Sequence, residues 1–96
     1  MIKSSKYVKK IRSTNVYDVA NKSPITKAEG LSLQYGNNIL LKREDMQPVF
    51  SFKLRGAYNK LFKLNKNGKN QSVIAASAGN HAQGVAFASL KLGLKA

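Results

Sequence analysis

The order of elements along the sequence predicts an α/β fold, one piece of a doubly wound sheet covered by helices. A short apolar run at residues 39–42 precedes a segment of helical period at 51–64. A second apolar run at 72–76 precedes another helical segment at 80–92, and Leu94 begins a third apolar run. This alternation is typical of βαβ units, which place ligand sites at the carboxyl ends of strands and at helix N-termini.

The first part of the chain has the pattern of a helical and extended segment. Residues 4–14 predict a short basic helix, and the Ser23-Pro24 pair interrupts the chain after it. Residues 27–34 predict a weak helix that ends at Gly36. We therefore treat residues 1–37 as an N-terminal helical and extended segment.

The rest of the chain, residues 38–96, is predicted to form a βαβα unit and the start of the next strand. Residues 39–42 predict a buried strand, and Ser51 is the expected N-cap of the following helix. The apolar positions of that helix recur at helical spacing, at Leu54, Ala57, Tyr58, Leu61 and Phe62. The helix at 80–92 is small or apolar on most sides, so we expect both of its faces to be covered, with Gly93 at its C-cap.

The charge balance raises the possibility of a polyanionic partner. Lys and Arg number 17 against 4 acidic residues, for a net charge of +13. Most of the cations are lysines scattered over helix faces and loops, including the Lys- and Asn-rich stretch 65–70, which predicts a surface loop. Aromatic platforms and nucleic-acid-binding motifs are absent from the sequence, so we expect no specific nucleic-acid partner.

Composition excludes several other classes. The chain has no cysteine, which rules out disulfide scaffolds, thiolate metal sites and cysteine nucleophiles. No metal-ligand spacing occurs, so we expect no metal site. No apolar run is long enough for a signal sequence or a membrane span, so we expect no membrane association. Adjacent Glu44 and Asp45 point apart on a strand or turn, so salt bridges are expected there rather than a carboxylate dyad.

Lys53 is the candidate nucleophile. It lies at the start of a helix, where the positive end of the helix dipole disfavours an ammonium group. Phe52 supplies an apolar wall, and Gly56 and Ala57 leave room for a planar group over the next turn. A lysine amine in such surroundings is suited to forming a Schiff base with an aldehyde cofactor. A solvated surface lysine is the alternative interpretation.

A second polar segment, Ser77-Ala78-Gly79-Asn80-His81, marks the turn from the second predicted strand into its helix. Its backbone N–H groups, with the Ser77 hydroxyl and the Asn80 amide, suit a substrate carboxylate or a cofactor oxygen. The alternative is a structural turn in which Ser77 or Asn80 caps the helix and Gly79 supplies a positive φ. We give His81 no catalytic role, because a lone histidine in the first turn of a covered helix is more often structural.

Two runs of sequence carry a resemblance to a known family. They are KREDMQPVFSFKLRGAY at 42–58 and AASAGNHAQGVAF at 75–87. Together they resemble the biosynthetic threonine dehydratases (threonine ammonia-lyases), which belong to the tryptophan-synthase-β-like, fold type II, pyridoxal-phosphate enzymes. The resemblance covers about residues 5–96, and Gln47-Pro48-Val49 is closer to the biosynthetic branch than to serine racemases or catabolic dehydratases.

The resemblance implies a cofactor, a reaction and roles for single residues. Lys53 would bind pyridoxal 5'-phosphate covalently and then move the Cα proton, while Phe52 packs against the cofactor ring. Asn80 would hydrogen-bond the phenolic oxygen of the cofactor, and the segment Ser77 to His81 would hold the substrate carboxylate. The implied reaction is the β-elimination that converts L-threonine to 2-oxobutanoate and ammonia, the first step of isoleucine biosynthesis.

The family pattern also extends beyond these residues. Its members have a glycine-rich loop for the cofactor phosphate, most of a second domain and a C-terminal regulatory region, so we expect the 96 residues alone to be inactive. Relatives are usually dimers or tetramers, located in the cytoplasm or, in eukaryotes, in an organelle matrix or stroma. Three alternatives stay open: another pyridoxal-phosphate lyase or racemase acting on L-serine or L-threonine, a non-enzymatic remnant, and a basic nucleic-acid-binding protein.

Overall fold

The computed structural model describes residues 4–66 and 72–96, so the surface loop predicted at 65–70 lies mostly outside the described residues. The elements in chain order are α1 (Ser4–Arg12), β1 (Ile25–Lys27), α2 (Glu29–Tyr35), β2 (Leu40–Lys42), α3 (Lys53–Asn65) and α4 (Asn80–Leu92). Short 3₁₀ turns occupy Val16–Asp18 and Glu44–Met46.

Helices α3 and α4 pack side by side and form the core. The start of α3 at Lys53 lies against Gly84 of α4, and the Asn65 side chain at the end of α3 donates a hydrogen bond to the carbonyl of Leu92 (3.3 Å). Both helices therefore begin at the same end of the pair. The main buried cluster consists of Ala57, Tyr58, Leu61, Val85 and Ala88, and a second cluster joins Leu54 of α3 to Ala20 and Val49.

The helices follow the sequence pattern closely. The predicted apolar positions of α3 are buried, except Phe62, which is half-buried. Helix α2 ends at Gly36 and α4 at Gly93, both in the left-handed conformation with φ of 60° and 67°. Glycine adopts this conformation without a steric penalty, which is why it ends both helices. Helix α3 begins at Lys53 with Phe52 at its N-cap position and no side-chain cap, so the prediction that Ser51 is the N-cap is wrong. The Ser51 hydroxyl lies one residue further back and accepts a hydrogen bond from the Lys53 N–H at 3.4 Å.

Burial of α4 differs from the prediction that both faces are covered, which is wrong for the described residues. Gly84, Val85, Ala88 and Ser89 are buried on the side that faces α3, whereas Leu90 on the other side is exposed. Among the helices and strands that the structure describes, α4 packs closely against α3 alone, and one neighbouring helix covers only one face.

The strand predicted at 39–42 forms, but its predicted burial is wrong. Strand β2 pairs antiparallel with β1, with Thr26 opposite Leu41. Leu40 and Leu41 are exposed because no described helix packs closely against this two-stranded sheet.

The two later strands appear only as one isolated parallel bridge between Ser72 and Lys95, supported by a hydrogen bond from Val73 N–H to the Lys95 carbonyl (2.8 Å). The full strand predicted at 72–76 is not formed, and Ile74 is 99% exposed. A strand requires partners along its length, and the described residues pair with its first two positions only. The parallel direction, with α4 as the crossover, agrees with an incomplete α/β unit.

Candidate functional site

The loop between β2 and α3 sets the position of Lys53. Gln47 to Phe50 form a turn in which the Phe50 N–H donates to the Gln47 carbonyl (2.8 Å). Phe50 has a φ of 57°, in the left-handed region that a non-glycine residue seldom adopts. Val49 and Ser51 are buried on either side of it. The turn is thus anchored by buried side chains, and Lys53 follows as the first helical residue.

The Lys53 side chain is exposed and close to an aromatic ring. Its Nζ lies 5.0 Å from the centre of the Phe52 ring, and Phe52 is itself 59% exposed. Among residues 4–66 and 72–96, no carboxylate forms an ion pair with this amine. The amine is therefore accessible to a small molecule with an aldehyde and an aromatic ring.

Helix α4 approaches Lys53 through a glycine. A Cβ added at Gly84 would lie 3.1 Å from the carbonyl carbon of Lys53 and 3.2 Å from its carbonyl oxygen. Contacts this short are tighter than ordinary van der Waals distances, so only glycine lets the two backbones meet without displacement. The contact fixes the first turn of α3 against α4.

The turn before α4 leaves its first N–H groups without a side-chain cap. Gly79 precedes the helix with a φ of −146°, and its N–H donates to the Ser77 hydroxyl (3.3 Å). The interpretation as a capped turn with a positive φ at Gly79 is therefore wrong. Ser77 is half-buried, and Ala78, Gly79, Asn80 and His81 are exposed. The first turn of α4 can thus offer its N–H groups and helix dipole to an anion.

The packing brings the two predicted segments to one end of the helix pair. Asn80 precedes Gly84 by one helical turn, or about 6 Å along the axis, and Gly84 touches Lys53. The Lys53 amine and the N-terminus of α4 therefore belong to the same end of the structure, which is open to solvent.

His81 lines a cavity that Lys53 does not line. It lines an apolar cavity of about 310 Å³ together with Gly56, Lys60, Val73 and Val85, among other residues of α3 and α4. Lys53 is not part of that lining. The structure thus places the exposed His81 at the edge of this cavity.

An ionic network holds the loop before Lys53. Arg55 donates two hydrogen bonds of 2.9 Å to Glu44, one to each carboxylate oxygen. The pKa of Glu44 is lowered to about 2, mainly by these bonds and also by the hydrogen bonds from Ser23 and Gln47, against the opposing effect of burial. Arg43 makes an exposed bidentate pair with Asp45 at 2.8 and 2.7 Å. The expected salt bridges are confirmed for both carboxylates.

The described residues contain neither a metal-binding group nor a helix that could span a membrane. Within 4–66 and 72–96, no three histidine or acidic side chains come together as a metal-binding group. In the same ranges, no helix has the length and apolar character needed to cross a membrane.

A family model described as "Pyridoxal-phosphate dependent enzyme" matches residues 16–96, which is most of the chain. The chain belongs to the pyridoxal-phosphate-dependent enzyme family. The family membership agrees with an α/β fold that is incomplete in these residues.

Several relatives of this chain are named as threonine dehydratases. The chain is 58% identical over 90 residues to the mitochondrial threonine dehydratase of Saccharomyces cerevisiae, covering 94% of this chain and 16% of the relative. It is 54% identical over 93 residues to L-threonine dehydratase biosynthetic IlvA of Burkholderia multivorans, covering 97% and 18%. A solved structure, the processed form of threonine deaminase isoform 2 from Solanum lycopersicum, superposes with a TM-score of 0.84 at 52% identity, covering 94% of this chain and 25% of that one. The chain thus spans less than a fifth of the curated relatives named here.

The residues present fit the cofactor that names the family. Pyridoxal phosphate has an aldehyde, an aromatic ring and anionic oxygens. The free Lys53 amine suits the aldehyde, the exposed Phe52 ring suits the cofactor ring, and the uncapped N-terminus of α4 suits an anionic oxygen.

Two residues that the sequence pattern does not mark as functional support the candidate site. Gly84 lies inside a helix, where a glycine costs about 1 kcal/mol and so usually has a packing reason. Gln47 belongs to the sequence run that carries the family resemblance, but its supporting contacts are not evident from the sequence. Its partner, Asn21, lies 26 residues earlier, and no local signal predicts that pairing.

Proposed function

We propose that the protein carrying this chain deaminates L-threonine to 2-oxobutanoate and ammonia with pyridoxal phosphate, as the first step of isoleucine biosynthesis. The observation that carries the proposal is the placement of an accessible Lys53 beside the uncapped start of α4, in a chain 50–58% identical to threonine dehydratases. Residues 1–96 are then the N-terminal part of the catalytic domain. Within it we assign 1–37 to the N-terminal helical and extended segment and 38–96 to the βαβα unit.

Each site residue has a separate role in this proposal. Lys53 would hold the cofactor through its Nζ, and the same Nζ would take the Cα proton of the substrate. Phe52 packs against the cofactor ring, and Asn80 donates a hydrogen bond to the phenolic oxygen. The substrate carboxylate binds at the start of α4, over the segment Ser77 to His81, where N–H groups and the helix dipole favour an anion.

The reaction breaks the Cα–H and Cβ–O bonds of threonine, and the water lost in this elimination is regained when the product is hydrolysed. The C–H bond at Cα breaks, its proton goes to Lys53, and the β-hydroxyl leaves as water after protonation. The cofactor supplies an electron sink that stabilises the negative charge at Cα. The enamine that is released adds water and loses ammonia, giving 2-oxobutanoate.

The proposal extends to the substrate, the assembly and the compartment of the complete protein. The matching proteins are named as mitochondrial, chloroplastic and bacterial threonine dehydratases. We propose that the complete protein is a homodimer or homotetramer that acts on a free amino acid in the cytoplasm, or in an organelle matrix or stroma if the source is eukaryotic.

The test of this proposal is to replace Lys53 by Ala in the complete polypeptide, with Lys63→Ala as the control. Lys63 is an exposed lysine of the same helix. We expect Lys53→Ala to abolish 2-oxobutanoate formation from threonine and borohydride trapping of the cofactor at this peptide, because no other amine is placed to replace it. Equal trapping and turnover in Lys53→Ala and wild type contradict the assignment. Turnover of serine without turnover of threonine would instead indicate a serine lyase.

A further inference from the structure

The loop that carries Lys53 is held by side chains rather than by a sheet. Strand β2 ends at Lys42, and α3 begins at Lys53. Between them lie a 3₁₀ turn and the turn from Gln47 to Phe50, with Phe50 in the left-handed conformation. A loop of this kind has no ladder of backbone hydrogen bonds to fix its direction. The direction in which Lys53 leaves it therefore depends on the side chains that tie the loop down.

Gln47 makes the most specific of these ties. Its side chain is only 1% exposed and pairs with the Asn21 backbone in both directions. The Asn21 N–H donates to Gln47 Oε1, and Gln47 Nε2 donates to the Asn21 carbonyl, both at 2.8 Å. The amide thus satisfies a backbone donor and a backbone acceptor at once, as a neighbouring strand would.

The same amide links Asn21 to the first turn of α3. Gln47 Nε2 lies 3.3 and 3.4 Å from the two carboxylate oxygens of Glu44. Glu44 in turn accepts the two hydrogen bonds from Arg55, two residues after Lys53, and Arg55 Nη2 also donates to the Asn21 carbonyl (3.3 Å). The network therefore closes a ring around the loop, and Lys53 lies between its two anchored ends.

We propose that Gln47 is a positioning residue for Lys53: its pairing with Asn21 fixes the loop so that the Lys53 amine meets the cofactor aldehyde in a reactive orientation. The inference rests on the proposed role of Lys53. Methionine at position 47 nearly preserves the side-chain volume but leaves the Asn21 N–H without its partner and the Asn21 carbonyl with only the 3.3 Å hydrogen bond from Arg55. The loop is then no longer fixed to Asn21 through residue 47, although the core between α3 and α4 keeps its contacts.

The experiment compares Gln47→Met with Gln34→Met, an exposed glutamine in α2, in the complete polypeptide freed of cofactor. The probe is pyridoxal phosphate itself, reduced with borohydride after short times, and the adduct at the Lys53 peptide is quantified by mass spectrometry. Gln47→Met should slow modification of Lys53 about tenfold, while Gln34→Met stays within about twofold of wild type. Hydrogen exchange should rise in the loop 44–53 and stay unchanged in the middle of α4.

Two further variants separate positioning from stability. Gln47→Glu keeps the acceptor for the Asn21 N–H, but when ionised its other oxygen faces the Asn21 carbonyl and the Glu44 carboxylate, so its rate should fall at least as far as that of Gln47→Met. Leu61→Ala weakens the core at a buried residue of α3. Each variant is measured at the same number of degrees below its own melting temperature. Under these conditions pyridoxal phosphate should modify Lys53 in Leu61→Ala at the wild-type rate.

The outcomes distinguish the two proposals. Absence of modification at Lys53 in wild type overturns the proposed function. Modification in wild type with an equal rate in Gln47→Met, or an equal loss of rate in Leu61→Ala, leaves the function standing and overturns the positioning role of Gln47. If Gln47→Met does not fold, Gln47→Glu provides the test instead. A wild-type rate of Lys53 modification in Gln47→Glu then overturns the inference.

Discussion

Gly84 of α4 faces the backbone of Lys53 so closely that a Cβ on it would lie 3.1 Å from the Lys53 carbonyl carbon, and the first turn of α3 meets α4 here without a side chain from Gly84. This contact joins the residue proposed to hold the cofactor to the helix whose N-terminus is proposed to bind the substrate. A small displacement of α4 would therefore move both parts of the site relative to each other.

A methyl group at Gly84 tests this contact. The added Cβ would lie 3.1–3.3 Å from backbone atoms of Lys53 and Leu54, which cannot turn aside as a flexible side chain can. We expect Gly84→Ala to gain no stability from its better helix propensity and Gly84→Val to lose about 2 kcal/mol. Urea unfolding at pH 7 measures both.

Gly56 in α3 provides the matched control, since a Cβ there would meet nothing within 4 Å. Gly56→Ala should stabilise the protein by roughly 0.5–1 kcal/mol through helix propensity alone. An equal gain in stability for Gly84→Ala and Gly56→Ala would show that the contact between the helices tolerates a side chain.

The ion pair between Glu44 and Arg55 predicts an acid-sensitive contribution to stability. The pKa of Glu44 is lowered from 4.5 to about 2 in the folded state, first by the hydrogen bonds from Arg55. A lowered folded pKa contributes stability that is complete above pH 4.5 and is lost as pH falls from 4.5 towards 2. Wild type should exceed Glu44→Gln by roughly 1–2 kcal/mol at pH 7, after allowance for solvent screening, and the difference should vanish near pH 2.

The comparison between wild type and Glu44→Gln removes the general effect of acid on a chain with a net charge of +13. Asp45→Asn is the surface control, because its pair with Arg43 is exposed. It should change stability less than Glu44→Gln at pH 7, where both carboxylates are ionised. A pH-independent difference between wild type and Glu44→Gln would show that the carboxylate charge is not what stabilises the loop.

The sequence predicted the helices well and the sheet poorly, for reasons visible in particular residues. The ends of α2 and α4 depend on Gly36 and Gly93, whose left-handed conformation is a local property. The exposure of Leu40 and Ile74 depends instead on which elements cover them, and a run of apolar residues carries no information about that.

In the candidate site, too, the local features could be predicted from the sequence and the tertiary contacts could not. Lys53 and the turn before Asn80 were recognisable from residue types at helix starts. Their approach through Gly84, and the support of the loop by Gln47 and Asn21, join residues far apart in sequence. Such pairings depend on tertiary packing, so a reading of one sequence identifies the groups that can react but not the residues that orient them.

Ser89 offers a route to greater stability. Its side chain is buried in α4, and its hydroxyl has no hydrogen-bond partner among the described residues. Removing an unsatisfied buried hydroxyl and introducing a better helix former should both be favourable, so we expect Ser89→Ala to stabilise the protein by about 1 kcal/mol. A rise in melting temperature measured by calorimetry checks this prediction. Gln83→Ala, at an exposed position of the same helix, is the control for the effect of helix propensity alone. A lower melting temperature for Ser89→Ala would mean that the hydroxyl has a partner after all.

Asn80→Ala separates a binding role from a capping role at the start of α4. The side chain is exposed, and the helix has no side-chain cap, so the change should alter the free energy of unfolding by less than about 0.5 kcal/mol. If Asn80 holds the phenolic oxygen of the cofactor, the same change should shift the visible absorption of the complete holoenzyme and lower its kcat for threonine, because a hydrogen bond to an anionic oxygen is lost. Absorption spectra, turnover and urea unfolding on one preparation measure all three quantities. A large loss of stability with normal turnover would assign Asn80 to the helix rather than to the cofactor.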